Sequence, residues 1–349
     1  MAAGAALFLF ALGPGCEEPP PLPPLVESPV ADTSYVQIFP SFPGFTNPQD
    51  VLVGNDQLLY VADTDSNRVV MMNRAGQVLS TRRVLRPVSL AQDTRLDLLV
   101  GGEIVVDDTA RAGAVFRLHL VDAGHRLELA RIDTVWTELA FRARRFPGLT
   151  VFGDNTWLAV RDGPDNSSFV DPDARVLLFR ANDEFVTPVP AFTSSAGGSI
   201  TNINHPTGIA GFASSKDFVL VQSAEGVSYQ AVWMIYESSA EFEGWLLKFD
   251  PARIEDRNVD FVKPGRFIFP EGVAVDPSRR DVFIADATLD SVVKFNARGR
   301  FKPESFGVAR TGGAMVRPTG LAYFEKILYV LDGAKGEVIR FRLSTDVPR

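Results

Sequence analysis

An internal repeat constrains this chain more than any other feature, and it is clearest over residues 270–299, PEGVAVDPSRRDVFIADATLDSVVKFNARG. A proline opens an apolar strand over 272–275, Asp276-Pro277-Ser278 turns the chain, and 282–285 forms a second strand. A polar turn over 286–290 leads to a third strand over 291–296, which ends at Arg298-Gly299. The module recurs from Pro318 (PTGLAYFEKILYVLDGAKGEVIRFR) and from Pro48 (PQDVLVGNDQLLYVADTDSNRVVMMNRAG). Weaker copies start at Pro206, resuming at Trp245 with WLLKFD, at Pro147, with RVLLFR from Arg175, and at Pro87, with LDLLVGGE and AVFRLHL. In four copies the opening proline leads to an acidic turn after a similar interval, at Asp63, Asp162, Asp286 and Asp332.

Each copy consists of short Val-, Ile-, Leu-, Phe- and Tyr-rich runs bounded by Gly, Asp, Asn and Pro, with no sustained helical period, which is the strand signature. Units of about 40 to 60 residues with this content suit four-stranded blades arranged radially. The expected fold class is therefore all-β, a six-bladed β-propeller. The pattern P-x-G-[VLI]-[AL], then [LV]-[YF]-[VI]-A-D-[TA], then R-V-x-x-F resembles the NHL repeat family, most closely over 48–76, 270–299 and 318–342. The resemblance implies a propeller over 34–349 that serves as a binding platform or, less often, an enzyme. Residues 34–39, SYVQIF, form a strand with no partner nearby in sequence, while the last copy holds only three. Pairing 35–39 as the outermost strand of the last blade would close the ring and remove two free edges, leaving 40–47 as the connection into the first blade.

The start of the chain, MAAGAALFLFALGPG followed by Cys16, resembles a bacterial lipoprotein signal. The resemblance implies removal of residues 1–15 and lipidation of Cys16. It departs from the pattern in lacking a basic residue ahead of the apolar run and in placing Leu12 four positions before the cysteine. Six prolines in 17–33 suit an extended tether over 16–33. The expected location is the bacterial envelope, lipid-anchored at the outer membrane or in the periplasm, with secretion as the alternative. The lone cysteine excludes an intrachain disulfide. A net charge of −8 argues against a nucleic-acid partner, which would require a basic surface. A single propeller of this kind is expected to be a monomer. The local basic group, Arg82, Arg83, Arg86 and residues 142–146 (RARRF), reads as exposed arginines on outer strands and connections rather than an anion site.

Strands alternate in direction, so the proline entries and the turns between second and third strands share one face. Long insertions are expected on that face at 104–113, 163–174 and 224–244, and enlarged loops on a rigid scaffold commonly carry recognition. The last contains Tyr229, Trp233, Tyr236 and Phe242, either an aromatic rim or a short helix with its rings packed inward. Residues just after the prolines should face the channel mouth, and these include Gln49, Asp50, Thr207, Glu271 and Thr319, with His205 just before Pro206. Asp50 and Glu271 are the ionisable pair there, able to hold Ca²⁺ or another divalent cation or to act as acid and base. A gluconolactonase-type propeller would need Glu, Asn and Asp around a metal, for which Glu271, Asn204 and Asp50 supply the residue types. An amidating-lyase-type propeller places histidines directly after entry prolines, and none of the six here is followed by one. His119 and His125 lie away from the channel. Asp162, Asp165, Asn166, Asp171 and Asp173 could ligate Ca²⁺, but they read better as turn-forming residues. The two functional readings are a binding or scaffold module for a protein or small ligand, and a metal-dependent hydrolase or lyase working in the channel.

Overall fold

The structure is a computed structural model that describes residues 33–108, 110–168, 170–189, 203–223, 229–250, 253–307 and 315–347, all within the unit Thr33–Arg349. The expected leader, Cys16 and the tether lie outside the described residues. The described residues form six four-stranded antiparallel sheets. Blade one holds β2 (Asp50–Val53), β3 (Leu59–Asp63), β4 (Arg68–Met72) and β5 (Val78–Arg83), and blade two holds β6 (Ser89–Gln92), β7 (Leu98–Val105), β8 (Arg111–His119) and β9 (Arg131–Thr137). Blade three holds β10 (Arg145–Val151), β11 (Trp157–Asp162), β12 (Arg175–Phe179) and β13 (Phe185–Pro188). Blade four holds β14 (Pro206–Gly211), β15 (Phe218–Gln222), β16 (Ala231–Ser238) and β17 (Glu243–Leu247). Blade five holds β18 (Pro270–Asp276), β19 (Asp281–Asp286), β20 (Ser291–Phe295) and β21 (Phe306–Gly307).

Blade six is completed from the other end of the chain. β22 (Pro318–Phe324), β23 (Ile327–Asp332) and β24 (Glu337–Leu343) are joined by β1 (Tyr35–Pro43) as the outermost strand. β1 pairs antiparallel with β24, Tyr35 opposite Leu343 and Ile38 opposite Arg340, then resumes after a bulge with Phe42 opposite Val338. The closing strand therefore runs on through residues 40–43, which the sequence assigns to the connection. The bulge sets Phe39, Pro40 and Ser41 against Ile339 alone, after which the pairing resumes on the twisted edge.

The inner strands β2, β6, β10, β14, β18 and β22 pack in a ring, each against the next and β22 against β2. Each seam between blades holds its own apolar cluster. Tyr60 and Phe116 fill the first seam, Trp157 and Phe179 the second, Phe152 and Phe218 the third. Phe212 and Trp233 lie in the fourth, Phe283 and Phe341 in the fifth, and Phe42 and Tyr329 in the seam that closes the ring. The glycine of the P-x-G motif follows from this packing. A Cβ on Gly208 would lie 2.6 Å from the Glu271 carbonyl oxygen, and one on Gly320 would lie 3.1 Å from the Cα of Asp50. In blade four the neighbouring inner strand approaches too closely for a larger residue, and in blade six the fit is tight.

Two of the expected insertions are strand instead. Residues 104–113 extend the β7–β8 hairpin, with Val105 opposite Arg111. Residues 231–238 are β16, the true third strand of blade four, so WLLKFD contributes the fourth strand rather than the third. Among the described residues, no helix forms within 229–244; residues 224–228 of the expected excursion lie outside the described residues.

Candidate functional site

A cavity of about 420 Å³ runs along the ring axis, walled by all six inner strands. Gln49, Asp50, Arg145, Asp162, Thr207, Glu271 and Thr319 are among the residues facing it. Asp50 occupies the position held by glycine in blades four to six. Its Oδ1 accepts from the Val51 amide (2.8 Å) and its Oδ2 from the Leu90 amide of blade two (2.8 Å). Inner-strand amides that face the channel have no further strand to bond, and Asp50 satisfies one of them across the seam. Part of its surface meets the channel, yet its depth in the wall pushes the carboxyl up to about 7, the two amide bonds opposing the shift.

The mouth on the entry face is edged by ion pairs. Glu271 Oε1 accepts from Arg317 Nη2 at 3.1 Å, while its Oε2 is buried with no hydrogen-bond partner among the described residues. Burial raises the Glu271 carboxyl and Arg317 opposes the rise. Asp162 Oδ2 faces His205 Nδ1 at 3.3 Å, and burial raises Asp162 against the pull of that histidine. Arg145 Nε donates to Glu103 Oε1 at 2.9 Å. Arg317, Arg145 and Asp162 complete the mouth although none was singled out there from sequence. Arg317 occupies the position of His205, immediately before an entry proline, and that signal could have found it.

The hydroxyls of Thr207 and Thr319 are committed to holding blades together. Thr207 donates to the Pro270 carbonyl at 2.5 Å and Thr319 to the Pro48 carbonyl at 3.1 Å. Gln49 turns back to bond Asn47. The Asn204 side-chain carbonyl accepts from Asn166 at 2.7 Å. Among the described residues, no three His, Cys, Asp or Glu side chains group to hold a metal ion. Glu271, Asn204 and Asp50 do not come together as a ligand set: Glu271 Oε1 bonds Arg317, Asn204 bonds Asn166 and Asp50 bonds two backbone amides.

Of the two arrangements expected for the aromatics of 224–244, Tyr229 and Trp233 pack inward, on strand and loop rather than on a helix. Trp233 is 1% exposed and stacks on Phe212, with centroids 5.6 Å apart, in the seam between blades four and five. Tyr229 is buried in the preceding seam. Tyr236 packs on Trp245 and bonds Glu243, and Phe242 sits in the β16–β17 turn, both on the face opposite the entry prolines. The excursion expected here is the apolar face of a buried third strand.

The Asp-rich loop after β11 is pinned by arginine. Arg144, buried rather than exposed, donates to Glu138 (3.2 Å) and Asp173 (2.6 Å) and pairs with Asp171 (2.8 Å). Arg161 reaches Glu138 (3.0 Å) and Asp171 (2.6 Å). Asp165 accepts from its neighbour Ser167. Of the carboxylates considered for Ca²⁺, Asp171 and Asp173 are thus occupied by guanidinium groups, Asp165 by a local turn and Asp162 by His205. Asp286 and Asp332 accept amides on both sides of their turns, Ile268 and Thr288 for one, Val316 and Ala334 for the other. His119 lies between Asp97 (3.1 Å) and Asp133 (3.0 Å), far out on blade two.

Asp50 gives a testable pH dependence. Its folded-state pKa, near 7, lies above the ordinary value of 3.8, so the folded state holds this proton more tightly than the unfolded chain does. The resulting stability is complete below the ordinary value and is lost as pH rises toward 7. Asp50→Asn loses one of the two amide bonds at every pH, because its Nδ2 cannot accept, but it is expected to gain on the parent by on the order of 2 kcal/mol between pH 4 and pH 8, allowing for channel water. Urea midpoints at the two pH values check this. A difference between variant and parent that stays the same at both pH values would mean that Asp50 ionises freely.

No family model matches the sequence, and no curated protein matches it. Many solved structures share the fold. An auxiliary nutrient binding protein from Bacteroides thetaiotaomicron aligns with a TM-score of 0.59 at 11% identity, covering 86% of this chain and 70% of that one. A gluconolactonase from Xanthomonas campestris gives 0.57 at 11% identity, covering 90% and 93%. A luciferin-regenerating enzyme gives 0.56 at 14% identity, covering 86% and 92%. At such identities the likeness shows a six-bladed β-propeller and nothing finer. Among the described residues no helix is long and apolar enough to cross a membrane.

Proposed function

We propose that this propeller is a binding module that takes a small ligand, or a side chain of a partner protein, at the entry-face mouth of the channel. The observation that carries the reading is the mouth itself: a cavity of about 420 Å³ edged by the Glu271–Arg317 and Asp162–His205 pairs on separate blades. Preformed concave sites with a few converging polar groups are where ligands are usually held. The pairs present both charge signs at the rim, which suits a polar or zwitterionic group. The likeness to a nutrient binding protein supports a binding role. The module belongs, on this reading, at the bacterial envelope through a lipid on Cys16, which metabolic labelling of the parent and of Cys16→Ser would test.

The test of the mouth is a thermal-shift and calorimetric screen of the full chain against amino acids, sugars and short peptides, repeated with Arg317→Ala. A ligand whose binding is lost in the variant supports the reading. Failure of the whole panel, or binding that the variant leaves intact, would overturn it. Asp50, titrating near 7, favours a second reading in which the channel performs hydrolysis with Asp50 as general base. The likeness to gluconolactonases supports that reading. Lactone turnover abolished in Asp50→Asn would select it.

A further inference from the structure

Away from the channel, a second cavity of about 380 Å³ opens on the seam between blades one and two. Val84 and Leu85, in the connection after β5, form one wall. Ile104, Phe116 and Ile132, from β7, β8 and β9, form the other. At its edge stands Arg83, exposed, whose guanidinium has no hydrogen bond or ion pair among the described residues. Most other arginines nearby are engaged: Arg86 with Asp65, Arg142 with Asp107, Arg145 with Glu103. The one carboxylate in the groove wall, Glu103, faces three arginines, Arg145 at 2.9 Å and Arg86 and Arg111 at 3.7 Å. The groove edge therefore carries surplus positive charge above an apolar interior.

We infer that this groove is a binding site for a free medium-chain fatty carboxylate. Its alkyl chain lies against Phe116, Ile104 and Ile132, and its head group meets Arg83. The chemistry follows from the two halves of the site. Apolar walls reward burial of methylenes, and a planar guanidinium without a partner takes a carboxylate through paired charge-assisted hydrogen bonds. A neutral apolar ligand would leave the arginine unused, and a polar one would desolvate against the walls at a cost. Val105, protruding at the same edge and 66% exposed, extends the apolar surface along which the chain would enter.

The test uses the full chain and two probes of equal length, dodecanoate and dodecanol, each competing with a fluorescent polyene fatty acid. The parent is expected to bind dodecanoate saturably and more tightly than dodecanol. Arg83→Ala should weaken dodecanoate about tenfold, the value of a hydrogen bond to a charged group, and leave dodecanol unchanged. Ile132→Trp, which fills the groove, should abolish both, with the unfolding midpoint of each variant confirming a folded chain. Absence of saturable binding in the parent would overturn the proposal. So would equal loss of both probes in Arg83→Ala, or binding unaffected by Ile132→Trp.

Discussion

Phe42→Ala should destabilise the domain by about 3–5 kcal/mol, the usual cost of emptying a large aromatic site in a packed interior. Phe39→Ala, three residues earlier in the same strand, should change it by less than about 0.5 kcal/mol. The contrast isolates the ring-closing seam. Phe42 is 4% exposed, packs with Val51, Tyr329 and Leu331, and lies under the Arg340 guanidinium at 4.5 Å. Phe39 is 74% exposed at the bulge. Urea unfolding of the two variants measures the difference. Equal, small effects would show that β1 contributes pairing but no packing.

Glu138→Ala should cost about 3 kcal/mol, at the lower end of what breaking a buried ion pair costs. Glu138 is shared by Arg144 and Arg161, all three buried, and its loss leaves two desolvated guanidinium groups with one carboxylate fewer. The effect stays at the lower end because Asp171 and Asp173 remain. Adding Arg161→Met to Glu138→Ala should recover part of the loss, since the uncompensated charge is then removed. A double variant no more stable than the single would show that Glu138 acts through packing instead. The network ties the loop after β11 to the connection ahead of β10, so Glu138→Ala should also raise protease sensitivity near residues 163–174.

The radial repeat was legible because its signals are local. A proline, a close-approach glycine and an aspartate bonding amides on both sides of a turn recur within some fifteen residues in blades five and six. Ring closure was legible by counting strands. Blade four departs from the sequence expectation because WLLKFD resembles the third strand of other copies. Its real third strand, AVWMIYES, came after an insertion that masked the spacing. Outer strands carry the least constrained sequence, so a well-patterned fourth strand imitates a third.

The mouth was half legible. Asp50, Glu271 and even Arg317 could be placed from the prolines alone, but which groups bond to one another could not. Arg317 sits 46 residues from Glu271, and His205 sits 43 from Asp162. Such pairs depend on how neighbouring blades abut, a relation the repeat itself does not encode. The same limit hid the inter-blade duties of Thr207 and Thr319, whose acceptors belong to the next blade.

The pairing that closes blade six also sets a schedule for making the protein. Ser34 and Ser344 are hydrogen-bonded across 310 residues of chain, so the first strand to leave the ribosome is the last to find its partner. Blades one to five can assemble in order as they emerge, each completing its sheet from contiguous sequence. β1 must wait, with its edge unpaired, until β24 has been synthesised. Contacts this distant in sequence form slowly, and an unpaired strand invites association with other chains in the interval. Synthesis of β24, rather than the folding of any one blade, is therefore the step at which this propeller can become a closed molecule. Truncation ahead of Glu337, which removes β24, should release a nearly finished ring with two open edges.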